Sequence, residues 1–204
     1  LAPAAALAPT APLPATPARA LVVGEGQRLL HMQHEVEAVA TELQAERVLM
    51  DGMATVDAVI AVARQADVLH LACHGEFRGD NPRFSALHLG DGLLSAAAVE
   101  TLRLPARLVV LSACETGRTQ TAAGDEGLGL VRAFQLAGAR DVVASLWAVD
   151  DEATTHFMTT FYRGWGRGRL DVATALQQAR QAMRRRWPHP FYWAAFQGYA
   201  RADL

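Results

Sequence analysis

Along nearly the whole chain, apolar runs of four to seven residues alternate with longer amphipathic stretches of helical period. That pattern constrains the fold more than any other feature of the sequence. The runs at 21–24 (LVVG), 47–50 (RVLM), 67–73 (DVLHLAC), 107–113 (RLVVLSA) and 141–147 (DVVASLW) are too short for stable helices and predict buried strands. Between the first two, the stretch 31–45 places Met32, Val36, Val39, Ala40 and Leu43 on one helical stripe, with Glu35, Glu37 and Glu42 interleaved. Further helices are predicted over 55–65, 95–102, 126–137, 152–163 and 170–186, with Gly138 as the residue after the third of these. A hairpin fits 87–94 (LHLGDGLL), and the aromatic tail 188–200 supplies a last strand. Strands separated by helices pair in parallel, and a parallel sheet needs helices on both faces. The expectation is therefore an α/β three-layer sandwich with a mainly parallel central sheet.

The 204 residues suit one domain, large enough to bury about 70% of its extended surface without a metal or disulfide staple. Nineteen Lys and Arg against 21 Asp and Glu give a net charge of −2, which provides no general attraction for nucleic acid or an anionic membrane. Residues 1–20 hold five of the nine prolines and one charge, Arg19, and are expected to form an extended interdomain linker ahead of a domain at 21–204. The chain opens on Leu1, as a piece of a longer protein would. Two cysteines, Cys73 and Cys114, are too few for a disulfide framework and suit a reducing, cytoplasmic compartment.

In an open parallel sheet, reacting groups collect beyond the C-terminal ends of the strands. The strand at 67–73 runs out at His74 and Gly75, and the strand at 107–113 runs out at Cys114. A thiol and an imidazole on neighbouring strand ends could face one substrate, as nucleophilic acyl transfer requires. Each also has an ordinary structural reading, because free cysteine is among the most buried residue types. That reading suits Cys73. Cys114 differs, with Ser112 and Ala113 before it and the polar turn Glu115-Thr116-Gly117 after it.

The blocks HLACHGEF (70–77), SALHLGDGLL (85–94), LVVLSACETG (108–117), GDEGLGLVRAFQLAGA (124–139), VVASLWAVDDEAT (142–154) and HPFYWAAFQGY (189–199) resemble, in order, the CHAT domain. The resemblance covers about residues 21–200. It implies a caspase-like fold related to separase, and a cysteine endopeptidase whose dyad falls on His74 and Cys114. It also implies bacterial regulated proteolysis in defence or programmed cell death. The substrate would be a dedicated protein partner such as a gasdermin-like pore former, and an upstream repeat or sensor domain would control the activity. No cofactor, metal, nucleic acid or membrane enters this reading.

The oxyanion of such a reaction needs two preorganised donors, for which the backbone N–H groups of Gly75 and Cys114 are the candidates. Glu76 and Glu115 stand nearby, yet neither is marked as a third member. Separase and other caspase-like proteases use an acidic first pocket, which here implies cleavage after Arg or Lys. Asp150 is the first candidate acid, with Asp151 beside it and Asp80 and Asp91 on flanking loops. Asp151 is equally suited to cap a helix starting at Glu152. The loop 117–125 is small and polar, with Arg118 as a point of activating cleavage.

Three rivals stand beside this reading. Gly24 and Gly26 after the first strand, with Asp51 after the second, suggest dinucleotide binding, but the third glycine position holds Leu29. His31 with His34, and His70 with Cys73 and His74, suggest zinc, but no second cysteine pair exists and His70 reads as a core histidine. A CHAT-fold interaction module with a silent site is the third.

Overall fold

The computed structural model describes residues 19–26, 30–112, 114–115, 128–167 and 169–201. The loop 117–125 with Arg118, position 29 and most of the segment 1–20 lie outside them. The valine- and leucine-rich runs become strands because each is flanked by helices that cover both of its faces. In chain order the elements are β1 (Ala20–Glu25), α1 (Leu30–Leu43), β2 (Arg47–Met50), α2 (Val56–Ala63), β3 (Val68–Glu76), β4 (Ala86–Leu89), β5 (Gly92–Ser95), α3 (Ala96–Glu100), β6 (Leu108–Leu111), β7 (Cys114–Glu115), α4 (Leu128–Ala137), β8 (Asp141–Ser145), α5 (Asp151–Tyr162), α6 (Val172–Arg186) and β9 (Phe196–Ala200). The main sheet runs β2-β1-β3-β6-β8-β9, parallel except for the last strand, which pairs antiparallel with β8.

Two apolar layers flank this sheet. On one face Leu21, Val23, Leu69, Leu71 and Val109 meet Val59 of α2, Val99 of α3 and Leu130 and Phe134 of α4. On the other, Val22, Val68, Ala72, Leu108, Val110 and Val143 meet Val36 and Val39 of α1, Phe157 and Phe161 of α5 and Leu176 and Met183 of α6. The three-layer expectation holds.

Local chemistry sets the helix ends. Thr55, Ser95, Asp150 and Asp171 each accept the N–H three residues on, which satisfies one of the orphan donors at a helix start. Gly138 takes φ of +121° after α4, with its missing Cβ leaving space for the Leu104 carbonyl 2.5 Å from where it would lie. The predicted strand 141–147 ends two residues early, because the chain bends at Leu146 and Trp147. The aromatic tail is a 3-10 turn (Pro190–Tyr192) before it is a strand. After α5 the chain continues as a π-helical turn, Arg163–Arg167, which periodicity alone did not reveal.

Asp141, the first residue of β8, is a cost built into the foot of the sheet. It is 5% exposed, and its Oδ1 has no hydrogen-bond partner. Burial pushes its pKa up to about 6, against the pull of Arg140 and with the help of Asp171. The folded pKa thus lies above the unfolded value, so the folded chain holds the extra proton between about pH 4 and 6. Stability falls as pH rises through that window and stays lower above it. Asp141→Asn removes the charge and is expected to add about 1–2 kcal/mol at neutral pH, after solvent screening, and almost nothing at pH 4. Urea unfolding at both pH values checks this, and an equal change at both would refute it.

Candidate active site

The site is built where β3 changes partners. Up to Cys73, β3 is paired with β1, whose last rung is Glu25↔Cys73, and up to Leu71 with β6. From Gly75 it pairs antiparallel with β4 (Gly75↔Leu87, Glu76↔Ala86), and from His74 parallel with β7 (His74↔Cys114, Gly75↔Glu115). His74 is therefore inside the strand, not just beyond it as the apolar run suggests. The run ends at Cys73 because that is where the main sheet ends. The strand continues because a smaller sheet takes over its hydrogen bonds.

The pairing of β3 with β6 runs Val68↔Leu108 to Leu71↔Leu111, and His74↔Cys114 keeps the same register. No residue is gained or lost in between, so the two candidate residues stand on one rung of adjacent parallel strands. Strand spacing puts their backbones about 4.8 Å apart. By alternation, position 74 belongs to the face of Val68, His70 and Ala72, the α1/α5/α6 side, and position 114 has the same parity. The His74 side chain is half-buried. Gly75, expected just beyond the strand, is instead a buried residue within it, paired with β4 on one side and β7 on the other.

Cys73 is 2% exposed and packs in the opposite layer. His70 is fully buried, with Nδ1 3.0 Å from the Tyr162 hydroxyl and Nε2 3.3 Å from Glu35. The three residues His70, Cys73 and His74 do not converge, because the middle one faces away. His70 is a core histidine with partners of its own. The His31 side chain lies outside the described residues, and His34 lines a surface cavity with Asp151 and His156. Gly24 leaves room for packing: a Cβ there would lie 2.7 Å from both Met50 Sδ and Val36 Cγ2. The first glycine of the dinucleotide pattern is thus taken up by the seating of α1 and β2 on β1.

The four predicted pocket acids have different fates. Asp150, and not Asp151, caps α5, accepting from the Ala153 N–H at 3.1 Å; the helix begins at Asp151, one residue earlier than expected. Asp151 is exposed and lines a cavity of about 470 Å³ with His34, Glu152, Thr155, His156 and Arg186. Asp80 forms a two-bond pair with Arg78 at 3.0 and 2.9 Å, which holds its carboxyl below the ordinary carboxylate range. Asp91 accepts from the Val56 N–H at 2.7 Å and so secures the first turn of α2.

An acid that the sequence reading passed over lies at the same edge. Glu25 ends β1 beside Cys73, is 6% exposed, and leaves Oε2 without a hydrogen bond. Burial pushes its pKa up, and the Asp51 carboxylate adds to the rise. A carboxylate closing an otherwise apolar strand (ALVVGE) was the signal available. Two carboxylates held together this way favour an arriving cation.

The sequence model of the CHAT domain family matches residues 3–201. Among curated proteins, tetratricopeptide repeat protein 28 of Homo sapiens is 36% identical over 127 residues, which cover 61% of this chain and 5% of that protein. Its Mus musculus counterpart is 27% identical over 198 residues, covering 78% of this chain and 8% of that one. The chain thus spans under a tenth of these relatives. Among solved structures, the Saccharomyces cerevisiae separase–securin complex superposes with a TM-score of 0.61 at 14% identity, over 90% of this chain and 12% of the matched one. The Arg-specific cysteine proteinase gingipain R gives 0.61 at 14% identity, over 89% and 46%. At that identity the likeness concerns the fold, and it agrees with the strand order and flanking layers described above. The chain belongs to the CHAT domain family and has a caspase-like α/β fold.

Proposed function

We propose that this domain is a cysteine endopeptidase that cuts a dedicated protein partner after a basic residue, with His74 and Cys114 as its dyad. The observation that carries the reading is the shared rung His74↔Cys114 at the catalytic end of a parallel sheet. In the proposed reaction His74 takes the thiol proton, and the thiolate of Cys114 attacks the scissile carbonyl carbon. The N–H groups of Gly75 and Cys114 receive the oxyanion. On collapse the C–N bond breaks and His74 protonates the leaving amine; water then releases the acyl group from sulfur by the same proton path. Neither a metal nor a cofactor takes part.

Gingipain R is named as Arg-specific, and the acids at this edge support a similar preference here. With Asp150 engaged as a cap, and Glu25 on the Cys73 face of the sheet, Asp151, exposed at the start of α5, is the carboxylate proposed to take a substrate cation. Asp151→Asn is expected to lower the preference for Arg over Leu before the scissile bond roughly tenfold or more. A peptide library run on both forms tests this, and an unchanged Arg preference would assign the cation elsewhere.

The partner is proposed to be a gasdermin-like effector, and control is proposed to come from an upstream repeat or sensor domain, in a bacterial cytoplasmic setting of defence or programmed cell death. The repeats named in the curated relatives support the second point. Among the described residues no helix is long and apolar enough to cross a membrane. A thiol-directed covalent probe separates protease from silent module. Selective labelling of Cys114 over the buried Cys73 is expected, and labelling of neither would favour the module.

A further inference from the structure

β8 lies next to β6 in the sheet, paired from Leu108↔Asp141 to Leu111↔Ala144. Continuing that count, position 147 comes level with position 114, on the side of the nucleophile strand away from His74. The residue there is Trp147. β8 leaves the ladder at this point: Leu146 N–H still donates to the Ala195 carbonyl at 2.8 Å, and the chain then bends. Trp147 packs on the α1/α5/α6 layer, which is the face to which His74 belongs.

The indole is fixed in two ways. Its Nε1–H donates to the Phe191 carbonyl at 2.9 Å, and its ring stacks on the Phe191 ring with centroids 6.4 Å apart and planes 25° apart. Phe191 is itself held edge-on by Tyr192 at 5.4 Å, yet remains 43% exposed. A half-buried indole and an exposed phenyl thus form a rigid apolar ledge at the end of β8, the strand next to the one that leads to the candidate nucleophile. Such a ledge needs no reorganisation to accept an apolar group, and rigid aromatics give contact area at little entropic cost.

Resting on the protease reading above, we infer that Trp147, stacked on Phe191, forms one wall of the substrate groove. It takes a bulky apolar side chain of the substrate next to the residue at the scissile bond. Trp147 and Phe191 thereby determine specificity, while His74 and Cys114 carry the bond-breaking steps.

The test compares wild type, Trp147→Phe, Trp147→Ala and Phe191→Ala on peptides that carry Leu, Phe, Gly or Ala beside the scissile residue. Wild type is expected to favour Leu and Phe. Trp147→Ala and Phe191→Ala should lower kcat/KM roughly tenfold or more for those peptides, mainly through KM, with small effects on the Gly and Ala peptides. Trp147→Phe, which keeps an aromatic ring, should retain most of the preference and shows whether loss in the alanine variant reflects contact or misfolding. An equal fall for all four peptides, or none, overturns the inference while leaving the dyad intact. Absence of cleavage by wild type together with absence of probe labelling at Cys114 overturns the protease reading, and this inference with it.

Discussion

Cys114→Ala is expected to remove peptide cleavage to below about one part in 10³ of the wild-type rate, while urea unfolding stays within about 0.5 kcal/mol of it. The thiol supplies the bond to the acyl group. Cys73, the other cysteine, is 2% exposed and on the opposite face of the sheet. His74→Ala should cost a similar factor, because a neutral thiol without an adjacent base is a poor nucleophile. The double variant should be little worse than either single one, since the two act as a unit. The shared rung of His74 and Cys114 is the reason to expect this non-additivity. Cleavage surviving Cys114→Ala would sink the central reading, and fully additive losses would mean that the two residues do not work together.

The second large effect is on stability. Phe157 is fully buried in the α1/α5/α6 layer, and its ring stacks on Phe196 of β9 with centroids 4.5 Å apart. It joins a helix to the antiparallel edge strand, which is also held by its ladder with β8 and by Arg180, whose guanidinium donates to the Phe196 carbonyl at 2.6 Å. Phe157→Ala removes the ring and leaves a cavity that the surrounding Phe161, Met158 and Ala179 cannot fill without leaving their rotamers. The expected loss is about 3–5 kcal/mol, a large share of the stability of a domain this size. A urea midpoint shifted by less than about 1 kcal/mol would show that α5 and β9 are held mainly by other contacts.

Alternation of short apolar runs with amphipathic stretches was enough to identify the helices, the parallel strands and the two covered faces. The reason is that strand and helix periods are properties of local sequence. Element ends were less legible. The strand at 141–147 keeps an apolar pattern through Trp147, but the chain bends after Ser145 to pass the 3-10 turn at Pro190–Tyr192. The cap of α5 could be Asp150 or Asp151 by residue type, and only the path of the backbone selects Asp150. His74 and Cys114 were visible as residues at strand ends. Their standing on one rung was not, since pairing joins positions far apart in the chain.

The acids illustrate the same division. The sequence puts Asp150 ahead of Asp80 and Asp91 as a pocket acid, and each of the three proves to be held by a guanidinium or a backbone N–H. Glu25 looks unremarkable, yet burial beside Asp51 leaves its Oε2 without a hydrogen bond. Trp147 reads as an ordinary apolar residue until the register sets it level with position 114. By itself, the sequence determined the layers, the strand order's parallel character and the identity of the dyad candidates, because these follow from periodicity and residue type. Only the tertiary structure decided which groups meet and which charges stay unpaired, because those depend on register and burial, which no local stretch encodes.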